Sequence, residues 1–160
     1  MILAAFLFAS AFGKSVGNRV THEIKALASA LESYKADHGH YPTDAGTTQE
    51  LDPRAAVDPA LYIPASRFLY RELSGDGDGD PSTTSPSDKK RYFEFPPRML
   101  HSFGSRRNTY IADQWGNSYG YSTFKSAHPN ETGGYNFAFD LWSTGGGTTQ
   151  EDRTKWTANW

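Results

Sequence analysis

From Val16 to Tyr34 the chain repeats an apolar residue at every helical turn: Val16, Val20, Ile24, Leu27, Leu31 and Tyr34, at spacings of four, four, three, four and three. A helix gathers such positions into one stripe, so the segment must lay that stripe against something apolar. Lys14, Arg19, Glu23, Lys25, Glu32 and Lys35 fall mostly off the stripe, and Glu32 stands three residues before Lys35, close enough for a weak helical pair. Gly39 follows the stripe as a natural C-terminal cap, and Pro42 forbids continuation. The spacing predicts a helix over 16–37.

Ahead of it, Met1–Phe12 reads MILAAFLFASAF, an apolar run closed by Gly13 and Lys14. Alone it falls short of the roughly 20 apolar residues that a membrane-spanning helix needs. A secretory signal peptide would use Ala9-Ser10-Ala11 as its cleavage site, yet no basic region precedes the run. The other reading is the front of a longer hydrophobic helix that starts before the numbered chain. Residues 1–13 would then continue into the amphipathic segment, with Gly13 and Gly17 as soft points. Such a rod is apolar all round at its front and one-sided behind. That change predicts two surroundings: lipid or other helices for 1–13, and the sheet of a globular unit spanning 14–160.

Residues 43–65 are turn-rich, with Pro53, Pro59 and Pro64, and a short helix is expected at Ser66–Leu73 with Phe68, Leu69 and Leu73 inward. Gly75–Asp88, poor in apolar residues, reads as a surface loop. Beyond it the pattern favours strands at Tyr92–Phe95, Thr109–Ala112, Tyr119–Thr123 and Tyr135–Leu141, the last with the cleanest alternation. Aromatic residues make up 14% of a chain that is only 37% hydrophobic, which also favours sheet over an all-helical bundle. The expected fold class is α+β, a long N-terminal helix packed on a small antiparallel sheet.

A net charge of −2 offers no basic field for nucleic acid, so none is expected as a partner. The absence of cysteine removes disulfide scaffolds, thiolate zinc sites and cysteine nucleophiles. The sequence holds no nucleophile elbow, phosphate loop or HExxH helix, and Glu50 with Asp52 is a pair of the kind that arises by chance. No catalytic residue is assigned. His38 and His40 lack a third ligand at zinc-like spacing. Trp115, Trp142, Trp156 and Trp160 suit core packing more than a sugar platform.

Three separated motifs carry a resemblance. The helix exit Ala30-Leu31-Glu32-Ser33-Tyr34-Lys35 with Gly39-His40-Tyr41-Pro42-Thr43, then Asp113-Gln114-Trp115-Gly116-Asn117-Ser118-Tyr119, then Phe139-Asp140-Leu141-Trp142-Ser143-Thr144-Gly145 with Asp152 and Trp156, together resemble the major, G-type pseudopilin of bacterial type II secretion and the wider type IV pilin-like family. The resemblance implies a subunit anchored in the inner membrane by its N-terminal helix, with its globular part in the periplasm. It implies assembly with further copies and other pseudopilins into a filament, driven by inner-membrane secretion machinery. Two departures stand out: the family's prepilin signature is absent, and residues 44–111 are longer than in the compact G-type subunit. Competing expectations are a type IV pilus subunit, or a secreted carbohydrate-binding or calcium-dependent adhesion module.

The family's C-terminal loop binds calcium, and the matching residues here are Leu141 and Ser143 through their carbonyls, with Glu151 and Asp152. Gly147 stands where the family places an aspartate, which leaves the shell short of the six to eight oxygens that calcium takes. Asp76, Asp78 and Asp80 match the opening of an EF-hand loop, but Pro81 replaces its glycine and Ser87 its final glutamate. A solvated loop is the stronger reading there. No other cofactor is expected.

Overall fold

The computed structural model describes residues 3–83 and 89–160, with side chains from Gly17 onward. Met1, the Val16 side chain and Ser87 in the expected acidic loop lie outside the described residues.

Helix α1 runs unbroken from Leu3 to His38, so the apolar front and the amphipathic segment share one rod. Val20, Ile24, Leu27, Leu31 and Tyr34 are buried, with Ala30 beside them. Full burial of side chains of this size stabilises by about 1.5–3 kcal/mol each. Gly39 ends the helix at a φ of +81° and donates its N–H to the Lys35 carbonyl at 2.8 Å. That left-handed turn is open to glycine at no steric cost.

A single 3-10 turn, Pro59–Tyr62, leads into helix α2, Ile63–Ser74. Asp58 starts the turn by accepting the Ala60 N–H at 2.9 Å, and Pro64 sits in the first turn of α2, where its missing N–H costs nothing. Ser66, Leu69, Tyr70 and Leu73 form the buried face. Their spacing of three, one and three is the helical stripe, and it leaves Phe68 half-buried, off the inward face expected for it.

No strand forms at Tyr92–Phe95. The N–H groups of Tyr92 and Phe93 both reach the Leu73 carbonyl, at 2.8 and 3.0 Å, so the segment caps the C-terminal end of α2. Phe95 packs against Tyr70 with ring centres 5.3 Å apart.

Among the described residues the β-layer has two small antiparallel sheets. β1 (Leu100–Ser102) pairs with β2 (Thr109–Ile111), and β3 (Gly120–Ser122), β4 (Asp140–Ser143) and β5 (Thr157–Ala158) follow in the order β3-β4-β5. A bridge between Ala112 and Ser118 joins them, supported by the Tyr119 N–H on the Ile111 carbonyl at 3.0 Å. Tyr119, Tyr121 and Leu141 meet the α1 stripe and α2 in the main core. One residue along β4, Trp142 turns to the other face and meets Tyr62, Leu51 and Ala65. Gly120, opposite Trp142 in the register, is where a Cβ would lie 2.1 Å from the indole.

The cleanest alternation in the chain, Tyr135–Leu141, is a strand only from Asp140 onward. The buried Asp140 carboxylate accepts the N–H groups of Tyr135 and Asn136, both at 2.9 Å, and curls the segment back on itself. Phe137 is left 67% exposed.

Candidate functional site

The joint between α1 and the β-layer is built around a charge. Glu23 interrupts the apolar face of α1 and is 7% exposed. It accepts the Tyr119 hydroxyl at 2.7 Å, and Arg98 approaches its other oxygen at 3.4 Å, with Arg19 at 4.0 Å one turn back along the helix. Arg19 also donates to the Gln114 side-chain oxygen. Burial, reinforced by the Glu23 carboxylate, holds the Tyr119 hydroxyl well above the ordinary tyrosine range. A buried carboxylate is costly, and the Tyr119 hydroxyl with the two guanidiniums offsets part of that cost where α1 meets the β-layer.

The Asp-Gln-Trp-Gly-Asn-Ser-Tyr motif is the structural device beneath that joint. Asp113, 1% exposed, accepts the N–H groups of Trp115 and Asn117 at 3.0 Å each and the Ser143 hydroxyl at 2.6 Å. Gly116 takes a φ of +82° to close the turn, and the Asn117 amide donates to the Thr144 hydroxyl at 3.1 Å. One carboxylate thus folds its own loop and ties it to β4. Burial pushes the Asp113 carboxyl up, against those hydrogen bonds. Neither the buried Glu23 nor the Ser143 link was singled out from the sequence. In sequence Glu23 is an off-stripe charge, and only the β-layer brings Tyr119 to it.

Among the expected calcium ligands, the Leu141 carbonyl accepts the Asn159 N–H at 3.1 Å and the Ser143 hydroxyl is directed to Asp113. Asp152 caps the 3-10 turn Gln150–Lys155: it accepts the N–H of Thr148 at 3.1 Å and the Thr149 hydroxyl at 3.0 Å, while Lys155 lies 2.6 Å from its other oxygen. Lys155, followed by these donors, holds the Asp152 carboxyl well below the usual range. Glu151 is exposed, and its own backbone N–H and the Thr149 hydroxyl hold its carboxyl below the usual range. A Cβ on Gly147 would lie 2.2 Å from the Asp152 Cβ, so this loop conformation has no room for an aspartate at 147.

Asp76, Asp78 and Asp80 are spent on their own loop. Asp76 accepts the Tyr70 hydroxyl at 2.8 Å and the Gly79 N–H at 3.0 Å, Asp78 the Asp80 N–H at 3.0 Å, and Asp80 the Ser82 N–H at 3.0 Å. Among the described residues no three His, Asp or Glu side chains group as a metal ion requires. The tryptophans divide: Trp142 is core, Trp156 stacks on it at 6.2 Å, Trp160 stacks on Tyr135 at 4.2 Å, and Trp115 remains 44% exposed. His22 is exposed on α1, and His38 stacks on Tyr34 at 4.1 Å.

A long N-terminal helix whose rear half lies on a small antiparallel β-layer is a pilin-like α+β arrangement. The chain is similar to the type II secretion system core protein G of Klebsiella michiganensis, 34% identical over 89 residues. The match takes in 53% of this chain and spans 63% of that relative's length. That likeness supports a pseudopilin-like reading of the chain. No protein-family model matches it, and no solved structure does. Among the described residues no helix is long and apolar enough to cross a membrane.

Proposed function

We propose that the chain is a structural pseudopilin subunit, anchored at the inner membrane with its globular part in the periplasm, that polymerises into the pseudopilus of type II protein secretion. The carrying observation is that α1 continues without a break from an apolar sequence into a stripe that the chain's own β-layer covers. The globular part covers the rear of the rod. In a bundle of parallel copies the fronts bury against one another, so leaving the lipid need not expose them to water. Its partners are further copies, other pseudopilins, the inner-membrane secretion machinery and, through the N-terminal helix, the membrane. Its role is structural, not catalytic.

Lack of cysteine makes the proposal testable, because an introduced thiol has no competitor. Paired substitutions that place one thiol at each of two exposed α1 positions, Ala26→Cys with Ser29→Cys among them, are oxidised in cells that carry the secretion machinery, since neighbours in an open filament meet through different residues. A ladder or dimer for some pairs and not others is expected. Monomer alone for every pair, with the protein folded and in the membrane fraction, overturns the filament. The C-terminal loop belongs to the same proposal as a calcium site of Leu141, Ser143, Glu151 and Asp152, at which the ion would have to displace Lys155 from Asp152.

A further inference from the structure

Trp115 follows Gln114, the residue of the β-layer that takes the α1 side chain of Arg19. Its loop is rigid: Asp113 holds it from inside, and the indole five-membered ring lies over Gly146, where a Cβ would be 3.2 Å from Cδ1. Beside it, Gln114 takes the Arg19 guanidinium, and Arg98 joins the same surface cleft with His101. Arg19 and Arg98 keep 44% and 57% of their side chains exposed, whereas the acid between them, Glu23, is buried and engaged by Tyr119. The outward chemistry is thus an indole and two guanidiniums.

The position of this group along the rod suggests its partner. Arg19 lies seven residues past Phe12 in an unbroken helix, about 10 Å along the axis. The headgroup zone of each leaflet is roughly 5–8 Å deep, the difference between a bilayer's hydrocarbon and total thickness divided between two faces. An apolar front seated in hydrocarbon up to Phe12 therefore brings Arg19 near the outer edge of the headgroups, with Trp115 next to its partner Gln114 and Arg98 reaching in from Glu23, one turn further along the rod. Guanidiniums pair with phosphate oxygens, and the indole, apolar with one polar N–H, is the side chain suited to that boundary.

We propose that Trp115, Arg19 and Arg98 form a collar that rests on the phospholipid headgroup layer when the subunit is in the membrane. This rests on the anchoring reading above. The test uses the full chain with vesicles of phosphatidylcholine and phosphatidylglycerol. Flotation measures binding, and acrylamide quenching of indole emission, in the chain and in Trp115→Phe, isolates the Trp115 signal by difference. Trp115→Tyr serves as a second variant, and thermal melting confirms that both fold. Bound protein whose Trp115 emission loses access to acrylamide, with Arg19→Gln and Arg98→Gln lowering binding to the anionic vesicles, is the expected result. Bound protein whose Trp115 stays as accessible as in solution overturns the collar and leaves the anchor standing. Failure of the chain to float with vesicles overturns both.

Discussion

Replacing Tyr119 by Phe removes one oxygen from the joint between α1 and the β-layer, and its consequence depends on pH because the hydroxyl can ionise and the phenyl ring cannot. At neutral pH the hydroxyl donates to the buried Glu23 carboxylate at 2.7 Å. A hydrogen bond to a charged group contributes about 1.5–3 kcal/mol, and Tyr119→Phe should destabilise by that amount, since the remaining guanidiniums are at 3.4 and 4.0 Å. Above the ordinary tyrosine range the sign works against the natural residue. Burial and Glu23 raise the hydroxyl pKa in the folded state, so its stabilising effect is complete below a pH of about 10 and is lost as pH rises further, when the unfolded chain ionises and the folded one resists. The loss approaches about 1.4 kcal/mol per pH unit for this group. Phe has no proton to lose. Urea melts of both proteins between pH 7 and 11.5 should therefore show a gap that is constant to about pH 10 and then narrows. A gap that stays flat to the top of the range refutes the assignment of Glu23 and Tyr119 as a buried hydrogen-bonded pair.

Three further outcomes follow from the same geometry. Gly120→Ala should cost at least about 1–3 kcal/mol in a urea melt, because the added methyl meets Trp142, which Tyr62 and Trp156 hold from two sides; an unchanged midpoint would mean that β3 and β4 are not in this register. Asp113→Ala frees two backbone N–H groups and the Ser143 hydroxyl, so a loss of about 1–3 kcal/mol is expected, while Asp113→Asn should lose less. For calcium, Lys155→Met removes the cation that sits on Asp152 and should strengthen binding, read as a larger rise in Tm with millimolar calcium than in the natural chain; no shift in either protein rejects the loop as a stabilising site.

The alternation at Tyr135–Leu141 shows where local pattern and real structure part. A period of two is satisfied by a strand, but it does not decide whether a buried acid will take the strand's own N–H groups, as Asp140 does. Tyr92–Phe95 fails for a related reason: its N–H groups answer the open end of α2, a demand invisible until α2 is placed. β1 and β5, of three and two residues, are too short to show any period.

The sequence by itself determined the rod. Its stripe, its end at Gly39 and the apolar run in front are local properties, since a helix satisfies its own backbone and needs only one face covered. The three motifs likewise carried the resemblance, because each is written in contiguous residues. Tertiary structure alone decided the site. Glu23 lies 96 positions from Tyr119, and Asp113 lies 30 from Ser143. Nothing in the spacing of the chain distinguishes a solvated carboxylate from a buried one, because burial depends on which distant segment arrives to cover it.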